Sequence, residues 1–198
     1  GPYSGSVVAN TFKRVASKPD DGAFASDLRF YDAVPGVPVG AVASPIIEES
    51  ELAGVLLVTY GAARLTDLVT ADESWEEAGL PETGDVYLFG TDGTTRTDPR
   101  AFLETPGIYL DEAVAEGLID DDDRARIEAI GTTVLTQLVP DGTVDAGVKG
   151  EEDVRSTSSI TGTSVLSITV PMANGSLEWY VVAEVDSGAA GRGLDDFQ

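Results

Sequence analysis

The apolar positions near the start of the chain recur at the spacing of a helix. Val8, Phe12 and Val15 are separated by four and three residues, which places them on one helical face and predicts a short helix over Ser6–Val15. After a turn rich in Pro, Asp and Gly, the apolar and aromatic side chains of Leu28–Tyr31 predict the first strand.

A long hairpin is the clearest prediction for the first half of the chain. Val39–Ile47 and Leu52–Tyr60 are rich in Val, Leu and Ile and are separated by a short acidic stretch, so they predict two paired strands. The prolines of Val34–Pro38 predict a loop before the hairpin, and Ala62–Val69 has the periodicity of a helix.

Strands and helices are both expected in the second half of the chain. The predicted helices are an acidic stretch around Trp75, Ile108–Glu116 and Asp120–Leu135. The predicted strands are Asp85–Phe89, Thr95–Thr97 after a tight turn, Thr143–Val148, Arg155–Val170 with a break at Gly162, and Leu177–Val185. The last of these alternates cleanly, which places its odd-numbered residues on one face.

Two segments of the chain repeat the same order of features. Val42–Ile46 and Ile168–Met172 each contain apolar strand residues and a proline. A short turn follows each segment, and then a second apolar strand, Leu52–Val58 in one case and Leu177–Val182 in the other. The repeat predicts a duplicated α+β unit with a boundary near Thr70–Trp75.

The charge of the chain narrows the possible functions. Twelve Lys and Arg stand against 35 Asp and Glu, a formal net charge of −23. Such a surface repels phosphate backbones and anionic lipid headgroups, so we exclude nucleic-acid binding. Hydrophobic residues make up 42% of the chain, enough for a packed core. The acidity also fits a protein adapted to a salty exterior.

The sequence contains neither Cys nor His. Disulfides, thiol chemistry and the Ser-His and Cys-His nucleophile pairs are therefore excluded, and so is the commonest zinc ligand. No spacing of carboxylates, Lys or Tyr supplies a catalytic or metal site, so we predict no catalytic residues, no metal and no cofactor. No basic and apolar leader opens the chain, and its longest apolar run, near Leu52–Val58, is far shorter than a membrane span.

The run Glu82–Gly93 and the following Arg96–Arg100 resemble a motif of double Cache domains, the PAS-like extracytoplasmic sensor domains of bacterial membrane receptors. The segment Glu82–Gly93, followed by Arg96–Arg100, is similar to the family pattern Glu-Thr-Gly-Glu-x-Tyr-Leu-x-Gly-x-Asp-Gly with a following Arg-Ser-Asp-x-Arg. The resemblance continues upstream in Ser44-Pro45-Ile46 and downstream in Trp179–Asp186, so it covers nearly the whole chain. The variant of the pattern resembles that of class III adenylate/guanylate cyclases.

The resemblance implies an α+β fold of two PAS-like lobes, each a central antiparallel sheet flanked by helices. Residues 1–72 would be the C-terminal part of a membrane-distal lobe whose long N-terminal helix and first strands are missing. Residues 73–186 would be the membrane-proximal lobe, and 187–198 would lead toward a transmembrane helix. In this interpretation the chain is the extracytoplasmic part of a bacterial plasma-membrane protein, tethered through segments outside it.

The function implied is ligand sensing, in a receptor whose output is a cyclase or else a histidine kinase or chemoreceptor. The sensor segment itself would not be an enzyme, and the receptor would be a homodimer with an unknown small-molecule ligand. The alternative is a secreted or surface protein-interaction module without a small-molecule ligand. Two spanning segments around the chain, with an output domain after them, would separate the two hypotheses.

The candidate ligand site lies in the first half of the chain. Arg29 and Tyr31 share one face of a predicted strand, which Asp27 extends, and an Arg can bind a ligand carboxylate while a Tyr forms an aromatic wall. Ser44 and Thr59 lie on neighbouring strands and are expected to face the same cavity. The amino-acid-binding pattern of the family, an Arg followed closely by Trp-Tyr, is absent here, so amino-acid binding is not carried over.

Two acidic features have a structural as well as a functional interpretation. Asp120–Asp123 could bind calcium, but the run lacks the spacing of a calcium loop, and we favour a helix N-terminus capped by Asp. The turn at Asp92-Gly93, with Arg96, Asp98 and Arg100 after it, could bind a ligand, but we favour a hairpin turn held by local ion pairs. Trp75 and Trp179 are expected to be core anchors.

Overall fold

The structure is a computed structural model that describes residues 3–31, 33–172 and 175–190. The chain divides into two compact units. The first extends to Leu65 and includes the stretch that ends at Leu177, and the second comprises the rest of the chain. Each unit contains a four-stranded antiparallel sheet. The predicted α+β class with two sheet-containing units is therefore confirmed.

Helix α1, Val7–Ser17, forms as predicted, but its buried face differs from the expected one. Val7, Thr11 and Val15 are buried, whereas Phe12 is 47% exposed. A spacing of four residues keeps these three side chains in line along the helix, and the threonine is accommodated because its hydroxyl donates a hydrogen bond to the Val7 carbonyl at 2.8 Å.

The first sheet is organised around one long strand. Its members are β1 Phe24–Ala25, β2 Arg29–Tyr31, β3 Val34–Glu48 and β4 Glu51–Gly61, and β3 pairs with all three others. The predicted hairpin is thus confirmed as β3–β4. The loop predicted at residues 34–38 is wrong, because Pro38 pairs with Phe30 and Val34 pairs with Tyr31 across an irregularity in the register.

The two faces of this sheet differ in burial. On one face β3 packs against α1 and buries Val39, Ala41 and Ala43. On the other face, apolar side chains of the hairpin are exposed. They are Val42, Ile46, Leu56 and Val58, between 39 and 59% exposed. We call this set the exposed hairpin face.

Helix α2, Ala62–Val69, has the predicted bounds, and the boundary between the two units falls within it, after Leu65. The helix predicted around Trp75 is wrong, since residues 71–79 run through successive turns. The expected anchoring role of Trp75 is nevertheless confirmed: it is only 9% exposed, and the Arg100 guanidinium lies 4.6 Å from its ring centroid.

The second sheet has the strand order β5-β8-β7-β6, all antiparallel. Its strands are β5 Gly84–Gly90, β6 Arg155–Ser158, β7 Ser164–Pro171 and β8 Trp179–Asp186. Three predicted segments are confirmed, the one broken at Gly162 as both β6 and β7, and β7–β8 repeats the antiparallel pairing of β3–β4. The predicted strand at Thr95–Thr97 is reduced to one bridge between Phe89 and Thr95.

Four helices accompany this sheet. They are α3 Arg100–Glu104, α4 Pro106–Ala115, α5 Asp121–Ile130 and α6 Asp141–Lys149. The predicted helix over 120–135 is correct in place but ends at Ile130, because Gly131 adopts a left-handed conformation that caps it. The predicted strand at 143–148 is wrong, since these residues belong to α6.

The core of the second unit lies between the sheet and the helices. Its buried members are Tyr87, Phe89, Phe102, Tyr109, Leu110, Ala113, Ile119, Ile127, Val139, Ile160 and Val182. Trp179 is also buried, at 3% exposed, as expected of an anchor. Among the described residues, no helix combines the length and the apolar composition needed to cross a bilayer.

Asp98 is a buried polar junction in the second unit. Its carboxylate accepts hydrogen bonds from the Thr133 amide and hydroxyl, both at 2.7 Å, and from the Thr132 hydroxyl at 2.9 and 3.0 Å. Burial raises the pKa of Asp98, while these hydrogen bonds oppose the rise. The junction joins the residue before α3 to the chain that follows α5.

Candidate functional site

The five predicted ligand-site residues lie in the first unit but not in one cluster. Arg29 is exposed on β2, and Tyr31 is half-buried with its ring centroid 6.2 Å from that of Tyr3. Asp27 is half-buried, and its carboxylate accepts a hydrogen bond from the Leu28 amide at 2.7 Å.

Ser44 and Thr59 do not face the same cavity, which corrects one expectation. Thr59 pairs with Ala41 and Ser44 pairs with Leu56, in a continuous register. Paired residues share a face and successive residues alternate, so Ser44 and Thr59 point to opposite faces of the hairpin. Arg29 pairs with Val39 and therefore shares the Thr59 face. The binding role of the five residues remains a prediction.

A pocket that the sequence did not predict lies in the second unit. Its volume is about 260 Å³, and it is formed by one face of the sheet, by α3 and α4 and by the loop between β6 and β7. We call it the acid pocket, because five of its lining side chains are carboxylic. They are Glu82, Asp85, Glu104, Glu184 and Asp186.

Two of these carboxyl groups form a pair on the sheet. Asp85 on β5 and Glu184 on β8 are register partners, so their side chains leave the same face of adjacent strands. The Arg100 amide donates to both oxygens of Asp85, at 3.1 and 3.0 Å. The Tyr87 hydroxyl donates a longer bond of 3.4 Å to Glu184. This carboxyl pair defines the floor of the acid pocket.

The environment of the pair favours the protonated forms. Burial raises the pKa of Asp85 to about 6, although the Arg100 amide and the Arg100 charge oppose the rise. Burial raises the pKa of Glu184 to about 8, reinforced by the charge of Asp85 and opposed by the bond from Tyr87. Near neutral pH the pair therefore holds about one proton.

Two hydroxyl groups near the pair have no hydrogen-bond partner. Tyr109, on α4, is 1% exposed and lines the pocket, and its hydroxyl is buried and unpaired. Ser167 on β7 is the register partner of Glu184, and its hydroxyl is likewise buried and unpaired. A buried polar group without a partner costs free energy, so both hydroxyls remain available to a partner within hydrogen-bond reach.

Arg100 is the cation that lines the acid pocket, but its guanidinium is already engaged. It donates to Glu104 at 2.8 Å and to the carbonyl oxygens of Pro81 and Gly84, while one face lies over Trp75. The guanidinium is therefore engaged at the side of the pocket, and the hydrogen bond to Glu184 comes from Tyr87 and not from Arg100.

The turn at Asp92 has the structural role that the sequence favours. Arg96 is 2% exposed, and its guanidinium donates to both Asp92 oxygens at 3.0 and 3.1 Å and to the Thr94 carbonyl at 2.8 Å. Asp98 does not join this ion-pair set, because it binds the threonines after α5. Arg100 pairs instead with Glu104.

The Asp120–Asp123 run caps a helix, as favoured. The Asp120 carboxylate accepts from the Asp123 amide at 2.8 Å at the start of α5. Within the described part of the chain, no group of three or more His, Cys, Asp or Glu side chains is arranged to hold a metal ion.

The acid pocket could have been suspected from one sequence signal. Asp85 alternates in step with Tyr87 and Phe89, two aromatic residues that are buried, so a strand here places a carboxylate on its inward face. Its partner Glu184 is distant in sequence, and only the register of β5 with β8 brings the two together.

Comparisons with known proteins show the fold. No family model matches the chain, and no curated protein matches its sequence. Solved structures that it resembles include the extracellular domain of mmHK1S-Z3, provisionally assigned as a histidine kinase, with a TM-score of 0.54 at 16% identity over 96% of this chain. Another is Methyl-accepting Chemotaxis protein X, with a TM-score of 0.54 at 13% identity over 92%.

A third similar structure is the ligand-binding domain of the Pseudomonas fluorescens chemoreceptor CtaA in complex with L-isoleucine, with a TM-score of 0.51 at 12% identity over 96% of this chain. The chain spans 57, 55 and 60% of the three compared chains, respectively. At these identities the likeness establishes the fold alone, a mixed α/β arrangement of two antiparallel sheets with helices.

Proposed function

We propose that this chain is part of the extracytoplasmic sensor domain of a bacterial membrane receptor and binds a small molecule. The observation that carries the proposal is the acid pocket, a concave site with convergent polar groups and shifted pKa values, in a fold shared with sensor domains. One of the similar structures is the extracellular domain of a histidine kinase candidate, and another is a ligand-binding domain in complex with an amino acid.

The proposal assigns a lobe to each part of the chain. Residues 1–72 form the C-terminal part of a membrane-distal lobe, residues 73–186 form the membrane-proximal lobe, and residues 187–198 lead toward the membrane. Of that last segment, residues 191–198 lie outside the described ranges. The exposed hairpin face supports the assignment, because a further segment of the distal lobe packing there would cover its apolar side chains.

The output of the receptor is proposed from the resemblance of the Glu82–Arg100 run. The resemblance favours a class III adenylate/guanylate cyclase as the output domain, and a histidine kinase or a chemoreceptor signalling domain is the alternative. The sensor segment has no enzymatic role in this proposal, and the receptor acts as a homodimer. Ligand binding would shift the population of two sensor conformations, and the shift would reach the membrane through the helices.

The exposed hairpin face also favours a second candidate function, that of a surface protein-interaction module. An apolar sheet face is a common docking surface for another protein. In that case the Leu56→Ser and Val58→Ser changes together would abolish partner binding. In the receptor proposal they would instead destabilise the complete distal lobe.

The location and the output can be tested on the full-length protein in its own membrane. We expect protease added outside intact cells or spheroplasts to cleave within residues 1–186, and the cytoplasmic output to change when a ligand is added. Protection of this segment from external protease, with cleavage only after lysis, would overturn the proposal.

A further inference from the structure

We propose that the acid pocket binds a small organic amine, whose ammonium group is held between the carboxylates of Asp85 and Glu184. The residues that line this site all belong to the second unit. Only the effect of amine binding on signalling rests on the proposed function. Binding itself is a property of this chain.

The position of the carboxyl pair supplies the first argument. Asp85 and Glu184 project from adjacent strands on one face, at the floor of a pocket of about 260 Å³. Their cross-strand spacing, about 5 Å between β-carbons, lets one ammonium group lie between the two carboxylates and donate to both. An ammonium has three N–H donors, so it has a third bond to make.

The unpaired hydroxyl of Tyr109 supplies the second, independent argument. It is buried, lines the pocket and has no hydrogen-bond partner. A phenolic oxygen accepts a hydrogen bond, which matches the third N–H of the ammonium. The rings of Tyr87 and Tyr109 also present aromatic surface to a cation.

The charge of the lining selects against anions. Five carboxyl side chains line the pocket together with one guanidinium, and Arg100 directs that guanidinium to Glu104 and two carbonyl oxygens. A ligand carboxylate or phosphate would meet no available cation here. An ammonium, by contrast, supplies the positive charge that Glu184 lacks.

The described residues favour an organic cation over a metal ion. The residues form no group of three or more acidic, His or Cys side chains suited to a metal. Hard divalent cations take six or more oxygen ligands, whereas the floor offers two carboxyl groups beside aromatic rings. An amine with a short alkyl chain fits both the carboxyl floor and the partly apolar walls formed by Ile160 and Val165.

Proton release follows from the geometry and provides a specific readout. The titratable and charged groups around Glu184 come from both strands and from the helices: Asp85, Tyr87, Asp186, Arg100, Glu104 and Tyr109. On the other side of Glu184, Ser167 of β7 is its register partner, and Arg155 of β6 pairs with Ser167. The empty pocket holds about one proton on the pair near pH 7. An ammonium favours two ionised carboxylates, so binding of the amine releases that proton. The affinity for the amine therefore rises with pH, up to about 9, as long as the pH stays below the pKa of the amine.

The test is titration calorimetry on this chain with butylamine and butane-1,4-diamine, in two buffers of different ionisation enthalpy. Butan-1-ol and butanoate are the matched neutral and anionic probes. We expect the amines alone to bind, with release of up to one proton. Binding of butanoate or butan-1-ol as tightly as the amines, or no binding of either amine at millimolar concentration, would overturn the inference.

Variants separate the pocket from the general acidity of the surface. We expect Glu184→Gln to weaken amine binding at least tenfold and to abolish proton release, and Tyr109→Phe to weaken it about threefold. Glu112→Gln, an exposed carboxyl on α4, is the matched charge control and should leave affinity unchanged. Equal weakening by Glu184→Gln and Glu112→Gln would show only counterion binding and would overturn the site.

Glu184→Gln is the decisive variant because it removes a buried acid with a raised pKa and should not impair folding.

The results for amine binding and for external protease also distinguish a failure of the amine site from a failure of the proposed receptor function. Amine binding by a segment that external protease cannot reach would sustain the site and refute the receptor. An external segment whose pocket takes no amine would refute the site alone.

Discussion

Asp85 and Glu184 are register partners on β5 and β8, and this places two carboxyl groups on one buried face of a sheet. Burial raises the pKa of both, and the charge of Asp85 further raises that of Glu184. The arrangement is costly to the fold whenever both groups are ionised, because like charges in a desolvated site repel. Stability and ligand binding are therefore both linked to the protonation of this carboxyl pair.

We predict that the folded chain loses stability as the pH rises from about 5 to about 8. A raised pKa means that the folded state holds the Glu184 proton when the unfolded state has lost it, so the free energy of unfolding falls between the ordinary value near 4.5 and about 8. The stabilisation that comes from the protonated Asp85 is lost at lower pH, by about pH 6. At about 1.4 kcal/mol per pKa unit, the rise from 4.5 to about 8 sets an upper limit of roughly 5 kcal/mol on the contribution of Glu184 to the pH dependence of stability.

Urea denaturation of Glu184→Gln across the same pH range measures this contribution. The variant should be more stable than the native chain at about pH 8 and nearly equal to it at about pH 4. Glu112→Gln should follow the native curve, because that exposed carboxyl only alters the general charge. A Glu184→Gln curve parallel to the native one would refute the prediction.

The ion pair between Asp92 and Arg96 should contribute measurably to stability. Partial burial raises the pKa of Asp92, but the hydrogen bonds from Arg96 and Thr94 outweigh it and hold this pKa below its ordinary value. We expect Asp92→Asn to lower the free energy of unfolding by about 1–2 kcal/mol, since it leaves a buried guanidinium with weaker acceptors.

The matched control for that change is Asp145→Asn on α6. Asp145 pairs with Lys149 at 3.3 Å, but both side chains are more than half exposed. Exposed pairs contribute about 0–1 kcal/mol, so Asp145→Asn should shift the denaturation midpoint little. Equal losses from the two variants would mean that the Asp92 turn has no special structural role.

Moderate salt should stabilise the chain. Its net charge of −23 implies self-repulsion, which ions screen over about 10 Å at 0.1 M. Thermal melts in a series of sodium chloride concentrations should show a rising midpoint. A midpoint that falls between about 0 and 0.5 M would contradict the prediction.

The first-unit candidates make a prediction that is independent of the acid pocket. If an anionic or zwitterionic ligand binds the complete ectodomain, Arg29→Ala and Tyr31→Ala should weaken its binding about tenfold, because Arg29 offers an exposed cation whereas the Arg100 guanidinium of the acid pocket is already engaged. Ser44→Ala, on the opposite face of the hairpin, is the comparison variant. A ligand of this class whose affinity survives both changes would remove these residues from the site.

The sequence was most informative where one periodicity dominates. Helix α2 and the pairing of β3 with β4 were predicted correctly, although β3 begins at Val34 and not at Val39, since long apolar strands and a clear helical spacing each favour one interpretation. Helix α6 was missed because its Thr and Val residues favour strands. Its bounds were nevertheless marked, by Pro140 before it and by Gly150 in a left-handed conformation after it.

Packing explains why α6 is a helix despite its composition. It buries Thr143, Ala146 and Gly147, and a β-carbon on Gly147 would lie 2.8 Å from the Tyr180 ring and 3.1 Å from Phe89. The helix thus approaches the sheet closely through small residues, a tertiary requirement that no local pattern reveals. The acid pocket escaped prediction for a similar reason, since strand register and not sequence proximity creates its carboxyl pair.

The bonds of Asp98 also have a consequence for the motions of the second unit. The Thr133 amide is buried and donates to a carboxylate 35 positions earlier in the chain, so deuterium cannot replace its proton while that bond is intact. Opening it requires the segment before α3 and the segment after α5 to separate together. The exchange rate of this single amide should therefore report how often the whole helical layer between them detaches from its sheet, an event much rarer than the fraying of any one helix.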